Sequence, residues 1–123
     1  MATKQLASWV LALQFANLTA PVVDMAVKSL HNWGGCAIGG YHQPLVGDVQ
    51  EAMLPFAAAG NSPLLDIQGW YDAQHTALIN GLPSHVDDHD DTHVDIPIHP
   101  SGPVASALLA LSEWKGNITG EIS

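Results

Sequence analysis

Between Asn80 and Pro100 the chain reads NGLPSHVDDHDDTHVDIPIHP, gathering four of its seven histidines and five of its twelve acidic residues into one stretch. Folding does not ask for this density. Like charges repel, and acids and imidazoles are poor core material unless each finds a partner. Three kinds of chemistry fit the residues. His85-x-x-Asp88 and Asp90-x-x-His93 each place a nitrogen and an oxygen ligand one helical turn apart, as zinc or non-haem iron accepts, with His99 as a further ligand. No cysteine ligand and no glutamate-containing zinc helix motif accompanies them. The second possibility is acid-base catalysis without a cofactor. An imidazole titrates near neutral pH and can move a proton to or from carbon, and neighbouring carboxylates fix its tautomer or favour its charged form. His99, pinned before Pro100, is the best placed for that work. The third is a turn loop in which Asp90 or Asp91 bonds backbone amides and Thr92 caps a helix. His31, His42 and His75 lie outside the stretch and read as surface or core histidines.

The elements around the stretch are helical. Leu6, Trp9, Val10 and Leu13 recur at i, i+3, i+4 and i+7, which predicts an amphipathic helix over residues 4–16. Thr19 before Pro21 offers a cap with proline in the first turn, and Val22 to Leu30 continue a second helix to about His31 or Gly34. After Gly39-Gly40 a third helix is expected from Val46 to Ala58, stopped by Gly60-Asn61-Ser62-Pro63. Leu64, Leu65 and Ile67 read as an extended connector. Asp72 caps a fourth helix over 73–79, and Ser101 or Gly102 opens a fifth that reaches Trp114. Five helices and no strand make the chain all-α. Lys115-Gly116 closes the last helix, and Thr119 to Ser123 looks like the opening turn of another, so the chain is expected to stop where an element should begin.

With 123 residues there is room for one small domain, and 47% hydrophobic content supplies its core. Charged residues make up only 12%, a low share for a soluble domain, which suggests missing partner surfaces. Three lysines, no arginine and a net charge of -9 exclude nucleic acid and anionic membranes as partners. Cys36 is the single cysteine, sits in an apolar run and reads as a buried thiol. The apolar residues of the N-terminus are interrupted by Lys4, Gln5, Gln14 and Asn17, which fits neither a signal peptide nor a membrane span. An intracellular location, cytoplasmic or mitochondrial, follows as the expectation.

The run Asn80-Gly81, His85, Asp88, Asp90-Asp91-Thr92-His93 and His99-Pro100-Ser101, followed by Val104 and the small apolar helix from Ala105 to Leu111, resembles the signature region of the MmgE/PrpD family. Leu6 to Val10, Pro21 to Val23, Ala26 to Lys28 and Gly35 to Gly39 resemble the opening helices of those enzymes, in order and at the right spacing. Two positions depart from the family pattern, His89, where an aromatic residue is usual, and Asp87. The family includes 2-methylcitrate dehydratase and cis-aconitate decarboxylase, and its members are several times longer than this chain. The resemblance therefore implies that residues 1–123 are part of the N-terminal helical domain of a homodimeric enzyme that needs no metal or cofactor. It implies a tricarboxylic acid substrate of the citrate and aconitate type. It also implies that Asp88, Thr92 and His99, the ends of the D-x-D-D-T run and the histidine of the HP pair, line the active site. On this reading His99 transfers the proton, Thr92 bonds substrate and Asp88 orients the pocket. Decarboxylation of a cis-aconitate-like acid is the first expectation and dehydration of an alkylcitrate the second. A non-catalytic remnant that binds a full-length relative is a third. A substrate with three carboxylates needs cations or many donors when it leaves water. Three scattered lysines do not supply them, so the isolated chain is expected to bind such acids poorly unless a second copy or a complementary chain completes it.

Overall fold

The computed structural model describes residues 2–93, 95–116 and 118. Its five helices are α1 (Ala2–Ala12), α2 (Ala20–Gly40), α3 (Pro44–Met53), α4 (Ala73–His85) and α5 (Ser101–Lys115). Two short antiparallel strands, β1 (Ala59–Pro63) and β2 (Trp70–Tyr71), form a ribbon between α3 and α4, with an irregularity between Ala59 and Ser62. The fold is thus helical, as the sequence pattern implies, but the Gly60 to Pro63 breaker is not a bare turn. It is strand because side chains from elsewhere hold it: Thr76 Oγ1 donates to the Ser62 carbonyl at 3.1 Å, and Ser62 Oγ donates to the Ala110 carbonyl at 2.7 Å. No periodicity in the segment itself encodes those partners.

Helix α4 lies against both α5 and α2, and the core sits along these contacts. Trp33 and Ala37 of α2, Ile79 of α4 and Ala105 and Ala110 of α5 are buried there, with Tyr41, Val46 and Leu64 closing one end. Much of the interior is polar and satisfied. Trp33 Nε1 donates to Ser106 Oγ at 3.0 Å, and that hydroxyl donates to the Gly102 carbonyl at 2.7 Å. Asn80, fully buried, accepts from the Tyr41 hydroxyl and from Leu65 N (3.1 Å) and donates to the Pro63 carbonyl (3.2 Å). Burial drives the Tyr41 phenol up to about 12, with Asp66 adding to the rise and the Leu65 amide opposing it, so it stays a donor at neutral pH.

Four helices differ from the sequence expectation in their boundaries. Helix α1 ends at Ala12 and gives way to a short 3-10 turn at Phe15–Asn17. Helix α2 runs on through Gly34, Gly35 and Gly39 to Gly40, although each interior glycine costs about 1 kcal/mol relative to alanine. Burial of Trp33, Ala37 and Gly40 on one face offsets that cost. Helix α4 continues past Ile79, through Pro83, to His85. Pro83 and Gly40 meet face to face: a Cβ built on Gly40 would lie 2.0 Å from the Pro83 carbonyl oxygen. Helix α3 begins earlier than expected because Pro44 fits its first turn, and it ends at Met53, followed by a 3-10 turn containing Pro55. The expected turn from Thr119 lies outside the described residues.

Asp72 caps α4 as expected, accepting from Gln74 N at 3.1 Å and His75 N at 3.0 Å. The His75 amide holds its carboxyl below the ordinary 3.8, against some burial, with the Ala58 amide and the His75 ring adding to the fall. Because the folded value is the lower one, the stability Asp72 contributes is fully present above about pH 4 and is lost as pH falls through the lowered value. Urea titrations of the wild type and Asp72→Ala should therefore differ at pH 6 and converge in acid. Gly40→Ala should lower the unfolding free energy by about 1–3 kcal/mol or more, because the new methyl meets backbone that cannot swing aside. An unchanged denaturation midpoint would show that α2 and α4 are not this close.

Candidate active site

The polar stretch begins in the last turn of α4 and ends at the first residue of α5, so the packing of those two helices sets its span. Cross-links fix its course. Gln43 Nε2 donates to Asp87 Oδ1 at 2.6 Å, and Asn32 Nδ2 donates to the His89 carbonyl at 3.3 Å. Asp88 adopts a left-handed backbone, φ 55°, which aspartate tolerates better than most residues, and its amide donates to the His85 carbonyl at 2.9 Å. Asp91 closes the loop onto α5, accepting from Ser101 N at 3.2 Å and Ser101 Oγ at 2.7 Å. The backbone-bonding role open to Asp90 or Asp91 therefore falls to Asp91.

Asp90 does something else. Its side chain is 1% exposed, and its carboxylate lies between two imidazoles: His85 Nδ1 is 3.0 Å from Oδ1, and His99 Nδ1 is 3.2 Å from the same oxygen. The two rings are 4.7 Å apart, tilted by 53°. Gly102 makes room at the side, since a Cβ there would stand 3.1 Å from Ser84 Oγ and 3.7 Å from Asp90 Oδ2. The possibility that Asp90 bonds backbone amides is not realised, because helix α5 begins directly over it and both of its oxygens face imidazole nitrogen.

The three residues singled out by sequence are close together. Thr92 Oγ1 lies 3.4 Å from His99 Nδ1. Asp88 Oδ1 lies 3.7 Å from His99 Nε2, on a side chain that is 80% exposed. Thr92 caps no helix; its hydroxyl sits between the Asp90 carbonyl, at 3.5 Å, and the His99 ring. A cavity of about 600 Å³ opens beside the group, walled by His85, Asp90 and His99 and by the apolar Leu78, Ile98 and Pro103. None of the three lysines reaches it: Lys28 pairs with Asp24 at 2.7 Å, and Lys115 lies over the Trp114 ring at 4.3 Å.

His85, Asp88, Asp90 and His99 each offer one donor atom within 4.8 Å of the others, a mixed nitrogen and oxygen set that zinc or iron would accept. His93 is not in this group; its Nδ1 accepts from Ile96 N at 3.4 Å. The sequence spacing Asp90-x-x-His93 is thus not realised as a ligand pair. Cys36 is half-buried on α2, and burial pushes its thiol up, helped by Asp90, Asp87 and Asp91. It is a protonated thiol at neutral pH. His75, outside the cluster, pairs with Asp72 at 2.8 Å.

His85 and Asp90 are the members of the site that sequence reasoning did not place in an acid-base role. The ligand spacings His85-x-x-Asp88 and Asp90-x-x-His93 marked each of them, but nothing joined the two, because 85, 90 and 99 follow no helical period.

Compared with known proteins, residues 4–122 match the MmgE/PrpD N-terminal domain. The chain belongs to the MmgE/PrpD family. It is similar to a cis-aconitate decarboxylase-like protein, oryM, of Aspergillus oryzae, at 26% identity over 111 residues. That alignment covers 90% of this chain and 23% of the relative, so the chain spans about a quarter of the relative's length. No solved structure matches the chain. Among the described residues no helix is long and apolar enough to cross a membrane.

Asp91→Ala removes two bonds at the start of α5 and should cost about 1 kcal/mol of unfolding free energy in urea. No change would mean that Asp91 does not hold α5 at Ser101.

Proposed function

We propose that this chain carries the proton-handling part of a carbon-carbon lyase acting on cis-aconitate-like tricarboxylic acids. Family membership and the name of the Aspergillus oryzae relative support the reaction class. The observation that carries the reading is His99, held from one side by buried Asp90, with Thr92 and Asp88 within 3.4 and 3.7 Å of its ring and the cavity beside it. In such a reaction the bond to a carboxylate breaks and carbon dioxide leaves. The electron pair stays on carbon, in conjugation with what remains, and a proton delivered to carbon ends the step. His99 is the donor in this reading. Thr92 bonds a substrate oxygen, and Asp88 steadies the charged ring from its Nε2 side. Dehydration of an alkylcitrate builds the same charge beside a carboxylate and is the second reading; the apolar wall of Leu78, Ile98 and Pro103 favours it to the extent that a substrate side chain needs a place.

The cavity wall contains no lysine, and the chain carries -9 in net charge, so a trianion has little here to replace its water. A second copy or a complementary chain, supplying cations, belongs to the working enzyme on this reading. Helix α1 supports it: Leu6, Trp9, Val10 and Leu11 are all exposed, and the helix buries none of its residues. The purified 123-residue chain should turn over cis-aconitate and 2-methylcitrate slowly or not at all. Steady turnover by that chain alone would refute the need for a partner. In a completed enzyme, His99→Ala should lower kcat by a factor of about 100–10,000 with the helical circular dichroism unchanged. Retained activity would remove His99 from the mechanism. Chelators should leave the rate as it is, and a rate restored only by added metal would favour the metal reading of the same residues.

A further inference from the structure

We infer that Asp90 is a positioning residue that locks both His85 and His99 as Nδ1–H tautomers, leaving the Nε2 atoms of two imidazoles, not one, as proton acceptors at the cavity. A neutral imidazole left to itself prefers its hydrogen on Nε2, and what its other nitrogen bonds decides otherwise. Here each Nδ1 lies near the Asp90 carboxylate: His85 Nδ1 is hydrogen-bonded to both oxygens, at 3.0 and 3.1 Å, and His99 Nδ1 stands 3.2 Å from Oδ1 with the Thr92 hydroxyl also beside it at 3.4 Å. An ionised carboxylate only accepts, so His85 Nδ1 must donate; at His99 the Thr92 hydroxyl, 3.4 Å from Nδ1, donates to the Asp90 carbonyl and leaves a lone pair for the ring hydrogen. The alternative assignment at His85 would set a lone pair against a buried negative oxygen on a side chain that is 1% exposed, and at His99 it would set one 3.2 Å from the same oxygen.

Asp90 is common to the two rings, while Thr92 stands beside His99 only. Both line the same cavity, and both are fixed through one carboxylate. When Nε2 of either ring takes a proton, the ring becomes an imidazolium that keeps its Nδ1–H on Asp90; no proton passes to the carboxylate, and its charge stabilises the cation. Asp88, 3.7 Å from His99 Nε2, adds a second carboxylate to that ring only.

The test needs no substrate, so its outcome is separate from that of the lyase reading. The full chain, labelled with ¹⁵N in its histidines, is followed by two-bond proton-nitrogen correlation spectra over pH. His85→Gln and His99→Gln assign the two rings by loss of signal. Above the titration of each ring, both are expected to show hydrogen on Nδ1 and a bare Nε2. Hydrogen on Nε2 in either ring of the folded wild type would overturn the proposal. Asp90→Ala should return both rings to the Nε2–H form, a change that a purely structural role for Asp90 would not produce. Persistence of the Nδ1–H form in folded Asp90→Ala would also overturn it. Where that variant does not fold, the wild-type spectrum decides alone.

Discussion

A carboxylate that leaves water must be met by donors, and in this chain the donors available to Asp90 are two imidazoles on either side of a helix junction. Most of the surrounding architecture makes that meeting possible. Helix α4 has to continue past Ile79 to bring His85 to its end, and α5 has to start at Ser101 so that Gly102, without a side chain, covers the carboxylate. The contact of Gly40 with Pro83 seats α2 against the same turn of α4. Asp91, next in sequence, ties the loop to α5 through Ser101. Adjacent aspartates thus serve opposite purposes, one holding side chains and the other holding backbone.

The composition of the site limits what it can offer a ligand. Its polar groups are acids and neutral bases, and its walls are otherwise apolar. Cations are distant. An arrangement of this kind can store, accept and return protons, but it offers little to a trianion. Apolar helix faces are open to water on α1 and along the α2 and α5 groove lined by Leu30, Val104 and Leu108.

Five helices were legible in the sequence because their signals are local: a repeat of apolar residues near 3.6, Asp72 ahead of α4, Pro21 in the first turn of α2, Gly116 after α5. The MmgE/PrpD resemblance was legible for a different reason, since Asp88, Thr92 and His99 lie in one short run whose order survives without any knowledge of the fold. Boundaries were less legible. Gly34, Gly35 and Pro83 argue locally for helix ends, and only burial on the far side of each helix overrules them. The β1 and β2 ribbon was illegible because hydroxyls from α4 and carbonyls from α5 hold it, residues far away in sequence.

What the sequence by itself determined is the inventory and its neighbourhood: which acids and imidazoles are crowded together, that helices flank them, and that no excess of positive charge accompanies them. What only the tertiary structure decided is which of five nearby aspartates is taken out of water. Composition treats Asp87, Asp88, Asp90, Asp91 and Asp95 alike, yet one bonds a glutamine, one a helix terminus, and one two histidines. The physical reason is that burial belongs to a position in space. The start of α5 and the end of α4 shield the Asp90 carboxylate alone, and shielding makes a hydrogen-bond partner obligatory.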